Sequence, residues 1–251
     1  MLRSRPDKKL VPVKTITCSA GSEELTFSLE RDCHKTVRLR VRPDGTAWVR
    51  APLRCSETDI KGWVLGRADW IRSRQAHFRK LRAEKPLPGY ESGSVQCYLG
   101  RDYTLHVVGH VRGSVELAAR EIRVNTRGEP TPDKVRKLLT TWFQARAGEI
   151  FAQRLEHWLP GVRAHGIGIT PVLRIRAMKS RYGSCSSRGV IALSRYLTAV
   201  PLECIDYVLV HELCHLKHFA HDPPFYNLLA QLLPDWRERK ATLHQHWQAL
   251  F

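Results

Sequence analysis

The alternation of hydrophobic and polar residues predicts a β-hairpin in the first quarter of the chain. Between residues 35 and 51, Val37, Leu39 and Val41 recur at every second position, which is typical of a strand with one buried face. A Pro-Asp-Gly sequence at residues 43–45 supplies the tight turn. The intervening positions place arginines on the opposite face, which either contacts phosphate groups or is simply the solvated side of a sheet: Arg38, Arg40 and Arg42.

A hydrophobic spacing of 3.6 residues predicts the helices. One helix begins at Ser56, whose spacing from Asp59 resembles a capping box, and continues toward the proline-rich segment at residues 86–89. Another begins at Thr131, runs to about His157, and is stopped by Pro160 and Gly161. The C-terminal part of the chain contains three further predicted helices: residues 202–217, one after Pro223 and Pro224, and one after Pro234.

The remaining hydrophobic runs predict short strands, at residues 95–108, 115–124, 173–177 and 190–194. The chain changes near residue 130 from predominantly strands to predominantly helices. We therefore predict an α+β fold with three parts. These are an N-terminal extension over residues 1–30, a β-rich region with one helix over 31–130, and a helical core with a small sheet over 131–251, on which the β-rich half packs.

Composition narrows the class of protein. Hydrophobic residues make up 43% and charged residues 26% of the 251 residues, which is typical of a globular protein. No apolar run reaches the ~20 residues of a membrane-spanning helix, and no apolar segment follows the basic N-terminus as in a secretory signal. Seven cysteines without a regular spacing favour a reducing, cytoplasmic location.

A large positive charge is spread over the whole chain. The formal net charge is +17, and both the first 85 residues and the remainder contribute to the excess. Such a field favours polyanionic partners, which makes a nucleotide or a nucleic acid a candidate ligand. The alternative is a basic protein in which this charge has no specific partner.

The sequence His211-Glu212-Leu213-Cys214-His215 is an HExxH motif. On a helix, positions i and i+4 share a face, so both imidazoles reach one metal ion, while Glu212 lies beside them and activates a water molecule. An apolar stripe on the opposite face of the predicted helix supports this placement: Ile205, Leu209, Leu213 and Leu216. The motif predicts metal binding by His211 and His215, with Glu212 as the catalytic base.

A catalytic zinc site needs a third protein ligand. His221 is our choice, because Pro223 and Pro224 prevent the helix from continuing and allow the chain to fold back. His218 lies on the same helical face as His211 and is the main alternative, although it is one turn too far along the helix. The weaker candidates are carboxylates: Asp222 and Glu238.

A block over residues 178–194, Met-Lys-Ser-Arg-Tyr-Gly-Ser-Cys-Ser-Ser-Arg-Gly-Val-Ile-Ala-Leu-Ser, adds a more specific signal. Together with His211–His221 and Pro234-Asp235-Trp236, it resembles the YgjP-like metallopeptidases, zincins related to the SprT and WLM proteases. The resemblance extends back to the arginine-rich hairpin. It implies a zincin-like core, zinc bound by His211, His215 and His221, and Glu212 as the base. Departures from the family pattern leave these residues intact: Tyr182, Ser194, Ala220, Asp222 and Tyr226.

The resemblance and the residues together predict a zinc-dependent metallopeptidase acting on peptides or proteins. Asp222, next to the third histidine, is expected to orient an imidazole. The resemblance implies that a stretch without acidic residues, 171–202, lines the cleft, where Lys179, Arg181 and Arg188 would bind anionic groups of the substrate. The alternative is a solvated basic face remote from the metal. Two alternatives remain at this point. One is a metal-dependent nucleotide phosphohydrolase, and the other is a nucleic-acid-associated protease or binding module.

Overall fold

The computed structural model describes residues 13–20, 23–33, 35–42, 44–84 and 89–250, and the chain divides into two units after residue 86. The boundary predicted near residue 130 lies inside the second unit. Each unit contains sheets and helices of its own, which confirms the α+β class. No helix in these ranges is long and apolar enough to cross a membrane.

The first unit contains one four-stranded sheet and two helices. The strands are β1 (Lys14–Ala20), β2 (Glu23–Asp32), β3 (Arg38–Val41) and β4 (Ala47–Pro52), and the helices are α1 (Glu57–Leu65) and α2 (Ala68–Glu84). The order in the sheet is β1-β2-β4-β3, with β2 and β4 parallel. The predicted hairpin is confirmed as β3–β4. The segment predicted as an N-terminal extension contributes β1 and most of β2, while residues 1–12 lie outside the described residues.

The core of the first unit lies between the inner face of this sheet and the two helices. Alternate strand residues, such as Phe27 and Val49, pack against Ile60 and Ile71 from the helices. Ser56 caps α1 by accepting a hydrogen bond from the backbone N–H of Asp59, as its spacing predicted. The structure has two helices where the sequence predicted one, because a turn at residues 66–67 separates α1 from α2.

The second unit contains two further sheets. The first consists of β5 (Val95–Tyr98), β6 (Arg101–His110), β7 (Ser114–Ala118) and β8 (Glu121–Arg127), in the order β5-β6-β8-β7. This sheet repeats the topology of the first unit, since two hairpins are joined through a parallel central pair. The other sheet consists of β9 (Val172–Arg176), β10 (Gly183–Cys185) and β11 (Val190–Ser194), in the order β10-β11-β9.

Four α-helices complete the described part of the second unit. They are α3 (Pro132–Ala164), α4 (Leu202–Cys214), α5 (Pro223–Leu232) and α6 (Trp236–Gln248), with a 3-10 helix at Arg195–Ala199. Thr131 caps α3 as predicted, but the predicted stop at Pro160 is wrong. The helix continues past this proline to Ala164. Burial of Val162 on its inner face offsets the backbone hydrogen bond that a proline cannot donate.

A buried ion pair fixes α4 against its neighbours. Asp206 in α4 accepts two hydrogen bonds from the Arg154 guanidinium, at 2.6 and 2.9 Å, and a third from Trp158 Nε1 at 3.0 Å. Arg239 of α6 lies 3.7 Å from the same carboxylate. The Asp206 side chain is only 8% exposed, so these donors replace the water that it loses on folding.

Removing this carboxylate should destabilise the fold. Asp206→Ala leaves the partly buried Arg154 guanidinium and the Trp158 indole N–H without their acceptor, so the free energy of unfolding should fall by about 3 kcal/mol. Urea denaturation followed by circular dichroism measures the change. Asp133→Ala is a suitable control, because its ion pair with Arg136 is exposed, and it should shift stability by less than about 1 kcal/mol. Equal effects of the two substitutions would contradict the role of the buried pair.

Candidate metal centre

Helix α4 carries the first residues of the site at its C-terminal end. Its interior is almost entirely buried, and Ile205, Leu209 and Leu213 are completely inaccessible, as the apolar stripe predicted. His211 lies in the last turn, and His215 is the C-cap residue. The helix therefore ends at Cys214, three residues earlier than predicted. This early end releases the chain to return toward the two histidines.

The three predicted histidines lie together. One ring nitrogen each from His211, His215 and His221 falls within 4.8 Å of the others, and the Nε2 atoms of His211 and His221 are 3.0 Å apart. His215 Nδ1 donates a hydrogen bond to the carbonyl oxygen of His218 at 3.0 Å, which fixes its tautomer and leaves Nε2 as the lone-pair donor. His218 thus contributes its backbone carbonyl to the cluster. Its ring nitrogens are not among the three that group together.

The segment after His218 places the third imidazole. Asp222 caps α5 by accepting a hydrogen bond from the backbone N–H of Phe225 at 3.2 Å. Orientation of an imidazole by this carboxylate stays a prediction. The ring of Phe225 is fully buried, and its centroid lies 4.7–4.9 Å from the centroids of all three imidazoles. Phe225 is the apolar floor of the cluster. The sequence did not predict this role of Phe225, because a buried aromatic residue carries no motif.

His211 and His221 are in the neutral form that binds a cation. Burial, reinforced by His215, His221 and Lys240, lowers the pKa of His211 to about 3, and burial followed by His215 also lowers the pKa of His221. Both rings are therefore neutral at pH 7, which is the form that binds a metal. His211 Nδ1 is buried without a hydrogen-bond partner among the described residues. Three imidazole nitrogens form the donor set of a catalytic zinc site, so these residues fit that ion.

Glu212 follows His211 in α4 and is itself buried, with 6% of its surface exposed. Burial raises the pKa of its carboxyl group to about 7, although the positive charge of Arg181 opposes the shift. The carboxylate packs against the backbone of Gly183 in β10. A Cβ atom at residue 183 would lie 2.8 Å from Glu212 Oε1, so only glycine leaves room for this carboxylate.

The segment that leads into β10 is held by hydrogen bonds from two other elements. Ser194, fully buried at the end of β11, donates through Oγ to the Met178 carbonyl at 2.7 Å and through its backbone N–H to Tyr182 O at 2.8 Å. Trp247 of α6 donates from Nε1 to Lys179 O at 3.3 Å. Strand β10 was not predicted, since Gly-Ser-Cys lacks alternating hydrophobic residues, and these anchors are what position it.

The three basic residues predicted to contact substrate lie in different surroundings. Arg181 is exposed and precedes β10, close enough for its charge to act on Glu212. Lys179 Nζ lies 6.0 Å from the centroid of the Tyr196 ring. Arg188 is exposed in the turn between β10 and β11, at the opposite end of this hairpin from Gly183. Of the three, Arg181 is the residue whose charge lowers the pKa of Glu212.

The cysteines flanking the site are not set up as thiolate ligands. Burial and the charge of Glu212 raise the pKa of Cys185 to about 11, and burial raises the pKa of Cys214 to about 12. Both thiols are protonated at neutral pH, whereas a metal ligand must be deprotonated. All seven cysteines fall in the described ranges, and none forms a disulfide.

One family model matches most of the chain. A model described as "YgjP-like, metallopeptidase domain" covers residues 35–246, which include the arginine-rich hairpin, the 178–194 block and the histidine cluster. No curated protein matches the chain.

Proposed function

Since this chain belongs to the YgjP-like metallopeptidase family, a family of metal-dependent hydrolases, we propose that it is a zinc peptidase centred on His211, His215 and His221. The observation that carries the proposal is the convergence of three ring nitrogens, together with the burial of Glu212, the residue next to His211 in α4. Three histidines leave one position of a tetrahedral zinc ion free for water or substrate, as catalytic sites require.

The proposed mechanism assigns proton transfer to Glu212. When bound here, zinc supplies Lewis-acid chemistry, polarising the substrate carbonyl and lowering the pKa of a bound water. Glu212 accepts a proton from water as the water oxygen attacks the carbonyl carbon. It then donates this proton to the amide nitrogen as the C–N bond breaks, which returns Glu212 to its starting state. A carboxyl group whose pKa burial has raised exchanges protons readily near neutral pH.

The edge position of β10 in its sheet supports a peptide as the substrate. Ser194 N–H donates to Tyr182 O, and Ser186 N–H donates to Val190 O at 3.0 Å. Tyr182 and Ser186, which flank β10, therefore direct these backbone groups toward β11. By the alternation of an antiparallel pair, Gly183 and Cys185 direct theirs toward the other side. Strand β10 is an edge strand of its sheet. An extended peptide pairing with this edge lies beside Glu212, because Gly183 contacts that carboxylate.

Arg181 is the basic residue that we propose as a substrate contact. Its exposed guanidinium lies at the beginning of the β10 edge and within electrostatic range of Glu212. A planar guanidinium donates two parallel hydrogen bonds to a carboxylate or phosphate. Roles for Lys179 and Arg188 in binding the substrate stay predictions of the sequence.

Gly183→Ala tests the contact between β10 and the proposed base. The added Cβ would lie 2.8 Å from Glu212 Oε1, so the carboxylate or the strand must shift by a fraction of an ångström. We expect peptide hydrolysis to fall by about tenfold or more, because a full ~1 Å displacement of a catalytic group costs about 100-fold and this shift is smaller. Zinc content should not change. Gly168→Ala is the control, since its Cβ meets nothing within 4 Å, and it should retain wild-type activity. A fully active Gly183→Ala variant would contradict this account.

The substrate class is tested by offering the zinc-loaded protein casein and nucleoside triphosphates in parallel. Release of new peptide termini from casein, lost in Glu212→Gln, is the expected result. Release of phosphate or pyrophosphate without any peptide product would overturn the peptidase proposal and favour the phosphohydrolase alternative. This outcome would leave the metal centre and the role of Glu212 as a base intact.

A further inference from the structure

The outer face of the sheet in the first unit carries a dense group of arginines around one tryptophan. Helices α1 and α2 pack on the inner face, where Val41, Ala47 and Val49 are buried. The opposite side of β3 and β4 presents what we call the arginine face, which comprises Arg38, Arg40, Arg42, Trp48 and Arg50. These residues belong to the first unit, whereas His211, His215 and His221 belong to the second.

The strand register sets the spacing of the arginine face. Arg38 lies opposite Arg50, and Arg40 lies opposite Trp48. Alternate residues of a strand are about 6.7 Å apart, so Arg38, Arg40 and Arg42 form a regular row of cations along one line. The Arg42 guanidinium stacks on the Trp48 ring, with its central carbon 3.7 Å from the ring centroid. This stack places a flat cationic surface at one end of the row.

Within the described part of the chain, no acidic side chain neutralises the charge of the row. Arg50 pairs with Glu30 at 2.7 Å and with Asp32 at 3.2 Å. By contrast, Arg38, Arg40 and Arg42 have no ion pair with an acid in the described ranges, and all three are exposed. Neighbouring like charges on a sheet repel one another and destabilise the fold, which a bound anion would relieve.

We propose that the arginine face is a binding site for single-stranded nucleic acid. A row of exposed cations follows an extended phosphate backbone, which also carries regularly repeated charges. Bases stack on aromatic rings and on the planes of arginine guanidinium groups, so the Arg42–Trp48 stack offers a platform for one base. A duplex hides the faces of its bases and would use only the charges, which is why a single strand is the better match. Glu30 fixes the orientation of the tryptophan ring, because Trp48 Nε1 donates a hydrogen bond to Glu30 Oε2 at 3.3 Å.

Two variants of the full-length protein separate the charge contribution from stacking. Binding of a fluorescently labelled oligothymidylate is measured by anisotropy at several salt concentrations. In R38Q/R40Q/R42Q, the slope of log K against log salt should fall in magnitude by about 2, because three phosphate contacts at ~0.7 each are lost. In Trp48→Leu, affinity should fall by about tenfold with little change in slope, since stacking is not screened by salt. Circular dichroism melting confirms that each variant is folded.

The matched control removes the same charge elsewhere. R101Q/R112Q/R120Q neutralises three exposed arginines of the second unit. Its slope should differ from that of the wild type by less than about half of the change expected for one phosphate contact. An identical slope change in both triple variants would overturn the proposal, because it would show that only net charge matters. Equal affinity for a duplex of the same length would also overturn it, as would binding of anionic phospholipid vesicles without binding of the oligonucleotide. Hydrolytic activity should be unchanged in R38Q/R40Q/R42Q, so this site stands or fails independently of the proposed peptidase.

Discussion

Glu212→Gln is expected to bind zinc with wild-type stoichiometry and to hydrolyse peptides about 10²–10⁴-fold more slowly. The amide is nearly isosteric with the carboxylate and fits the same space against Gly183, so the three imidazoles keep their positions. It cannot accept a proton from water, which removes the step that we assign to this residue. Metal analysis and steady-state kinetics on the same sample measure both quantities.

A second acid on the same helix provides the control for this substitution. Glu203 lies in the first turn of α4 and is exposed, so Glu203→Gln should retain wild-type kinetics. Full activity in Glu212→Gln would show that another group removes the proton. Loss of zinc from Glu212→Gln would instead show that this carboxylate holds the metal rather than the proton.

Substitution of the third histidine should weaken zinc binding much more than substitution of its neighbour. His221→Ala removes one of three grouped nitrogens, so zinc affinity should fall by more than about 100-fold, since even outer contacts cost 10–100-fold. His218→Ala keeps the backbone carbonyl that accepts from His215 Nδ1, so its affinity should stay within a few-fold of wild type. Competition with a chromophoric chelator measures both affinities.

The paired comparison between residues 221 and 218 decides the ligand set. His211→Ala and His215→Ala should behave like His221→Ala, because the three rings contribute equivalent nitrogens. Equal loss of zinc affinity in His218→Ala and His221→Ala would refute the choice of His221. Loss only in His218→Ala would mean that the metal lies further along the chain than the grouped nitrogens.

Features set by a few neighbouring residues were predictable from the sequence. The caps at Ser56 and Thr131 depend on a hydroxyl and a backbone N–H only three residues away, and both are present. The β3–β4 hairpin follows from alternation and a turn. The approach of His221 to His211 also followed from local rules, because proline at residues 223 and 224 limits how far the helix can extend.

Features that depend on distant contacts were not predictable in the same way. The continuation of α3 past Pro160 reflects burial of Val162, which outweighs the local preference to stop. The parallel pairing of β2 with β4 joins strands that no turn connects. Strand β10 is positioned by Ser194 and Trp247, and neither residue carries a signal that connects it to Gly183.

A zinc titration of the metal-free protein tests the central claim most directly. The protein is freed of metal by chelation, zinc is added in steps, and the initial rate of peptide hydrolysis is recorded at each step. If His211, His215 and His221 hold one catalytic ion, the rate should rise from near zero in proportion to added zinc and level off at one equivalent. Full activity in the metal-free protein, or a rate that does not change as zinc is added, would contradict the account.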